Sequence, residues 1–303
     1  MGFADTNLVL GPLVISTVLN AFIYGICIMQ LSSYWDNGFK DPYIIKMLVG
    51  WTVLLDTFHT CALLYMLWIY VVVNFNNPIY LTTILWPFSS TPIITTLTSF
   101  PIQIYLAWRI RQFSHSTKVF FYLVILSAAQ ASLGFTCSIA AFHVPDLAAY
   151  HTLIPFVDAW QVLAVAADGS ITVLLWWYLS KSRTGQKRSD NVITRLIRSS
   201  IETAAFGAFF CIMDLVTFTS LLDTNFHVIF AFPMGRIYTN TLLMTLNSRT
   251  SLRAELERPI IPDIVLDQSH HFTPPNSIAL SLNSYDPGNM QVSRTQSSHP
   301  STP

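Results

Sequence analysis

Long apolar stretches alternate with short polar connections along most of the chain. Each stretch is long enough for a helix to cross the roughly 30 Å of hydrocarbon in a bilayer, which takes about 20 residues. The predicted spans cover residues 9–31, 45–73, 91–112, 118–141, 154–180, 199–222 and 226–247. The pattern therefore predicts an all-α fold, a bundle of seven transmembrane helices.

The basic residues lie on only one side of this predicted bundle. Among the 16 lysines and arginines, only Arg236 lies deep inside an apolar stretch. The others occupy every second connection and the C-terminal segment: Lys40 and Lys46; Arg109, Arg111 and Lys118; Lys181, Arg183, Lys187, Arg188, Arg195 and Arg198; and Arg249, Arg253, Arg258 and Arg294. Because positively charged connections stay in the cytoplasm, we expect the N-terminus outside and the C-terminus in the cytoplasm.

The composition agrees with a membrane location and divides the chain into two parts. Charged residues make up 11% of the chain, whereas a soluble domain has about 25%. Residues 1–253 form the predicted membrane domain. Beyond it the sequence turns to Ser, Pro, Asn and His, which bury too little apolar surface to fold. We therefore expect residues 254–303 to form a mostly disordered cytoplasmic tail, and the plasma membrane is the default location.

Several ionisable side chains fall within the predicted spans, where they are costly and usually face the bundle interior. Asp56 and His59 are three residues apart and share one helix face. Asp214 and Arg236 come out at matching depths in adjacent helices, which predicts an ion pair. The candidate residues for ligand binding or a polar core are Asp56, His59, Gln103, Asp168, Asp214, Arg236 and Asn240.

Motifs of soluble catalysis are missing from the sequence. It has no Gly-rich phosphate loop, no His-Glu-x-x-His, no Cys-x-x-Cys and no Gly-x-Ser-x-Gly. We therefore expect no enzyme activity, no catalytic or metal-binding residues and no cofactor. The one-sided basic residues indicate membrane orientation and not nucleic-acid binding, so we expect membrane lipids and a cytoplasmic protein as partners of the connection 181–198.

Short motifs throughout the bundle resemble those of a large fungal family of seven-helix membrane proteins, the DUF6534 family. The matching strings are Leu10-Gly11-Pro12, Gly25, Gln30, Asp41-Pro42, Lys46, Leu55-Asp56-Thr57-Phe58-His59, Trp86-Pro87, Gln103 through Ile110, Ala167-Asp168, Lys181 through Gly185, Lys187 through Asp190, Gly235-Arg236, and Tyr238 through Arg249. Three of them depart mildly from the family: Ser189 stands where Thr is usual, Thr241 where Ser is commoner, and Gly235-Arg236 where Gly-Lys or a similar basic pair is common. The resemblance covers about residues 8–253 and implies a fold and a membrane location, but no activity.

Three functions are compatible with these features. The first is a receptor- or sensor-like protein that binds a small molecule in a polar cavity within the bundle, with Pro233 as a hinge. The second is a proton-coupled transporter or carrier that uses Asp56, His59 and Asp168 as relay groups. The third is a non-catalytic membrane scaffold, in which the polar residues only hold the helices together.

Overall fold

A computed structural model describes residues 3–75, 77, 80, 83–143, 153–181, 205–221 and 224–257 of the chain. The helices are α1 (Phe3–Asp36), α2 (Tyr43–Trp68), α3 (Trp86–Ser114), α4 (Thr117–His143), α5 (Ile154–Lys181), α6 (Ala205–Ser220), the short α7 (Val228–Ala231) and α8 (Met234–Glu257). A single turn of π-helix, Ile69–Val73, continues α2. No β-strand is present in these described ranges, so the predicted all-α class is confirmed.

Within the described residues, four helices are long and apolar enough to cross a membrane, and they correspond to the first, second, fourth and fifth predicted spans. They cover Asn7–Asp36, Tyr43–Val73, Thr117–His143 and Ile154–Tyr178. The spans predicted at 91–112, 199–222 and 226–247 correspond to α3, α6 and the pair α7–α8. Their membrane crossing, and the N-outside orientation of the bundle, stay predictions.

The bundle exposes large apolar side chains on its outside and buries many polar side chains beside an apolar core, unlike a water-soluble protein. On α1, Val18 and Phe22 are 62% and 67% exposed, whereas Ser16 and Asn20 are fully buried. Exposed apolar side chains on this scale are unfavourable in water and suit a lipid environment, in which backbone and polar side chains must find partners inside the protein. The packing therefore agrees with the hydropathy pattern.

Helix α3 lies at the centre of the bundle and packs against α2, α4, α5 and α8. Its buried positions include Thr91, Thr95, Thr98 and Ser99. Some of these hydroxyls bond to their own helix, as Thr98 Oγ1 does to the Ile94 carbonyl at 3.0 Å. Because neighbouring helices cover it, α3 needs less apolar surface than a helix that faces lipid.

Pro233 separates α7 from α8, because proline lacks the N–H that would continue the helix. The predicted seventh span is therefore interrupted at this residue, and α8 continues to Glu257. The role of Pro233 as a hinge stays a prediction. Pro101, by contrast, lies inside an uninterrupted α3. The basic connection 182–198 and the tail from residue 258 lie outside the described residues, so the interpretation of both stays a prediction.

A polar link joins α8 to the α1–α2 connection at the end of the bundle that we predict to be cytoplasmic. Arg249 donates from Nη1 to Asp41 Oδ1, and from Nη2 to Oδ2 at 2.7 Å. Its guanidinium lies 4.5 Å from the centre of the Phe39 ring, and the Tyr34 hydroxyl donates to Asp41 Oδ2 at 2.8 Å. This link fixes the inner end of α8 against α1.

Candidate functional site

Arg236 has the largest fully buried side chain among the described residues, and groups on α2 hold it at the start of α8. Its Nη1 donates to His59 Nδ1 at 2.7 Å, and its Nη2 donates to the Asp56 carbonyl at 3.0 Å. Asp56 Oδ1 lies 3.9 Å from Arg236 Nε. Because the two charges lie side by side, each lowers the cost of burying the other, which is several kcal/mol per isolated ion.

Hydrogen bonds determine the tautomer of His59. Its Nδ1 accepts from Arg236, since a guanidinium only donates. The Thr91 hydroxyl donates to the Pro87 carbonyl at 3.0 Å, so its oxygen accepts from His59 Nε2 at 3.1 Å. His59 is therefore neutral in this arrangement, with its proton on Nε2, and it connects Arg236 to α3.

Asp168 on α5 forms a second polar group with residues from four other helices. Gln103 Nε2 donates to Asp168 Oδ1 at 2.9 Å and to Gln130 Oε1 at 3.0 Å. The Tyr238 hydroxyl donates to Asp168 Oδ2 at 2.6 Å, and the Cys211 thiol lies 3.5 Å from the same oxygen. Among the described residues, the donors to the Asp168 carboxylate are the neutral groups of Gln103, Tyr238 and Cys211, so Asp168 belongs to a hydrogen-bond network and not to an ion pair.

Asp214 lies apart from Arg236, so the predicted ion pair between them is wrong. Its Oδ2 accepts from Gln161 Nε2 on α5 at 2.8 Å, while Arg236 is paired with Asp56. The prediction rested on matching depth alone. Depth does not determine direction around the helix axis, however, and Arg236 points from α8 towards α2.

A first cavity lies between α3, α4, α5, α6, α7 and α8, with an empty volume of about 790 Å³ including its open mouth. Its polar lining comprises Thr91, Thr95, Gln130, Gln161, Asp214, His227 and Tyr238. The rest is mainly apolar and aromatic, with Phe88, Trp160, Phe218 and Phe232. It occupies the half of the bundle that contains the starts of α3 and α5, which is the outer half in the predicted orientation.

Four polar atoms of residues that line this cavity are buried and have no hydrogen-bond partner in the described protein. They are Thr95 Oγ1, Trp160 Nε1, Gln161 Oε1 and Asp214 Oδ1. A buried polar atom without a partner costs about 1–3 kcal/mol. Other buried polar atoms without a partner, such as Thr96 Oγ1 and Ser127 Oγ, lie elsewhere in the described bundle. These four differ because their residues line a cavity with room for a partner.

A second cavity, of about 360 Å³, lies in the other half of the bundle. Its lining includes Gln103, Asp168, Thr241 and Tyr238. Since Tyr238 also lines the first cavity, the Asp168 network stands between the two. A hydrogen-bond network of polar side chains therefore separates the two cavities.

The structure brings the predicted residues together in two groups. Asp56, His59 and Arg236 form one group, and Gln103 and Asp168 belong to the other. Asp214 lines the first cavity. Asn240 joins neither group through a described hydrogen bond, and its Oδ1 is buried without a partner.

Sequence reasoning missed three residues of the site, namely Gln130, Gln161 and Tyr238. Each is a polar side chain that the structure places in the first cavity. The predicted candidates were ionisable side chains or members of the family motifs, and Gln130 and Gln161 are neither. A single amide within a long apolar stretch, such as Gln130 or Gln161, is the signal that could have found two of them.

The fold and the buried polar groups define a helical protein of membrane type. Residues 164–251 match the model described as a family of unknown function (DUF6534). The chain is therefore similar to this family from α5 to α8, which confirms the expected resemblance over these residues. The match includes Asp168, Asp214, Arg236 and Asn240 but not the site residues on α2 and α3. Comparisons with curated proteins and with solved structures give no match.

Proposed function

We propose that this protein is a non-catalytic membrane receptor or sensor that binds a small molecule in the first cavity. The observation that carries the proposal is the group of four unpaired polar atoms around an otherwise apolar cavity. Small-molecule sites are commonly concave and mostly apolar, with a few polar groups that orient the ligand. A scaffold would gain nothing from leaving these atoms unpaired.

Contacts from the cavity to α8 support a role in signalling. Thr91 and Phe232 line the cavity and also contact the Arg236 group. Thr91 accepts from His59, and the Phe232 carbonyl lies 3.3 Å from Arg236 Nη1. A ligand that displaces either residue would change how Arg236 is held, just beyond the break at Pro233.

The signal would then pass along α8 to the predicted cytoplasmic face. In this proposal, the basic connection 181–198 contacts a cytoplasmic partner and anionic lipids there. The plasma membrane is the proposed location, because a receptor with its cavity in the outer half of the bundle can sample molecules from outside the cell.

The test is native mass spectrometry of protein extracted from its own membrane. Ala164 is buried and lines the cavity, so Ala164→Phe fills it. Val162 on the same helix is 51% exposed, so Val162→Phe adds bulk on the lipid side as a control. We expect a co-purifying small molecule in the wild type and in Val162→Phe that is lost in Ala164→Phe. Equal retention in all three proteins, or no bound molecule in any, would contradict the proposal.

A transporter is the second candidate, because cavities lie on both sides of the Asp168 network. In this alternative, the hydrogen bond between Tyr238 and Asp168 closes the passage from one cavity to the other. Tyr238→Phe removes the hydroxyl and should raise solute flux in proteoliposomes. Absence of flux for every molecule that binds the protein would favour the receptor.

A further inference from the structure

We propose that the first cavity takes a compact ligand with an apolar body and a protonated amine, and that the amine lies against Asp214 and Gln161. This inference rests on the proposed function, because it names the ligand class of the same cavity. It depends on three features of the lining: two neighbouring acceptors, the absence of a competing cation and the aromatic walls.

The two acceptors are oriented by the hydrogen bond that joins them. Gln161 Nε2 donates to Asp214 Oδ2 at 2.8 Å. Each residue then has one oxygen, Gln161 Oε1 and Asp214 Oδ1, without a partner, although both side chains are only 5% exposed. An ammonium group carries several N–H donors and no acceptor, so one group can satisfy both oxygens.

The charge of the lining also favours a cation. None of the described lining residues is Lys or Arg, and Arg236 is already committed to Asp56 and His59. A buried carboxylate without a positive partner is unfavourable. A cationic ligand would supply the missing counter-charge, whereas the described lining offers no lysine or arginine to an anion.

The aromatic lining residues indicate what the apolar part of the ligand is. Phe218, Phe232 and Trp160 line the cavity and offer aromatic surface, which packs well against an apolar group. Aromatic faces also attract a cation when it lies within about 6 Å. A single aromatic ring on a short alkylamine chain satisfies both the polar and the apolar parts of the site.

The test compares three probes that share one skeleton, 2-phenylethylamine, 2-phenylethanol and phenylacetate. Binding to the full-length protein in lipid nanodiscs is measured by equilibrium dialysis at pH 7. We expect the amine to bind about tenfold to 100-fold more tightly than the alcohol, as a charge-assisted hydrogen bond implies, and phenylacetate to bind most weakly. If the alcohol or phenylacetate binds as tightly as the amine, or the amine does not bind, the ligand class is wrong.

Matched variants locate the amine. Asp214→Asn keeps the shape and removes the charge, and should lower the affinity for the amine at least tenfold while leaving the alcohol unchanged. The control, Asp158→Asn, also removes one carboxylate, but at a residue of α5 that does not line the cavity. It should leave the affinities for the amine and for the alcohol unchanged. Equal amine affinity in Asp214→Asn and the wild type would overturn the assignment.

The outcomes separate this inference from the proposed function. A co-purifying molecule that Ala164→Phe abolishes, together with no preference for the amine, rejects the ligand class and leaves the receptor in place. If no molecule co-purifies and no probe binds, both proposals fail. A co-purifying molecule without a basic nitrogen would also contradict the ligand class.

Discussion

Arg236 organises the polar interior because its guanidinium must find several partners at once in a dry environment. His59, the Asp56 carbonyl and the Asp56 carboxylate supply them from one face of α2. Lysine carries one compact charge and cannot reproduce the planar arrangement of N–H donors in a guanidinium group. The guanidinium therefore makes all of these contacts at once, which an ammonium group cannot do with the same geometry.

The Asp56–Arg236 pair predicts strong coupling between two substitutions. Asp56→Leu or Arg236→Met alone leaves an unpaired buried charge, so each should lower the free energy of unfolding by about 3–5 kcal/mol. The double variant should lose much less than the sum of the two. Unfolding in detergent, followed by circular dichroism, measures these differences.

The control cycle combines Asp214→Asn with Arg236→Met. Because Asp214 is bonded to Gln161 and not to Arg236, the effects of these two substitutions should add. Coupling in the Asp214 cycle together with additivity in the Asp56 cycle would contradict the structure.

Asp41 predicts a dependence of stability on pH. The bidentate contact from Arg249 holds the pKa of Asp41 below its usual range. Its contribution to stability is therefore full above the unfolded pKa of about 3.9 and is lost as pH falls through the lower folded pKa. The difference in melting temperature between the wild type and Asp41→Asn should hold from pH 7 to about pH 5 and close below about pH 4.

Asp36→Asn provides the comparison, because Asp36 is exposed at the end of α1. This variant also removes one carboxylate, and its melting temperature should stay close to that of the wild type at every pH. If the difference in melting temperature between the wild type and Asp41→Asn grew as the pH fell, it would contradict the Asp41–Arg249 link.

Individual residues show where sequence reasoning stops. The rise per residue of a helix predicts how deep Asp214 and Arg236 lie, and it correctly indicates that both are buried. The partner of each depends on rotation about the helix axis and on which helices are neighbours, and a single sequence contains neither. Gln161, the actual partner of Asp214, carries no charge that would draw attention to it.

At the scale of elements, α3 and α4 approach closely at Gly134. A Cβ added there would overlap Thr96 Oγ1 and lie 2.9 Å from Trp160 Nε1. Small residues at helix interfaces allow such close packing in membranes. Since Trp160 also lines the first cavity, this contact joins helix packing to the site.

Gly134→Ala should therefore destabilise the bundle. The added methyl group has no free space, and overpacking of this kind costs about 1–3 kcal/mol. Gly50→Ala is the matched control, because a Cβ at Gly50 meets nothing within 4 Å. That variant should be neutral or slightly stabilising, since alanine favours the helix by about 1 kcal/mol. Equal melting temperatures for the two variants would contradict the close approach.

The sequence predicted elements with unequal success, and the cause is physical. Helices α1, α2, α4 and α5 expose apolar side chains and meet the requirement for a lipid-spanning helix. Helix α3 faces other helices on most sides and can carry threonines and serines. Its hydropathy therefore falls below that requirement although its length, Trp86–Ser114, suits a span.

For the whole molecule, the one-sided basic residues predict the orientation in the membrane. An epitope inserted after Asn77 should be accessible to antibody on intact cells, and one inserted after Lys187 only after permeabilisation. The positive-inside tendency is the physical reason. Labelling of the Lys187 epitope on intact cells would contradict the predicted orientation and the cytoplasmic role of the 181–198 connection.

The central claim is that the unpaired polar atoms of the first cavity belong to a ligand site. The most direct measurement is an electron cryomicroscopy map of the protein extracted from its own membrane. We predict density for a small molecule within hydrogen-bond distance of Asp214 Oδ1 and Gln161 Oε1. A map in which a protein side chain pairs with both oxygens and fills the cavity would contradict the account.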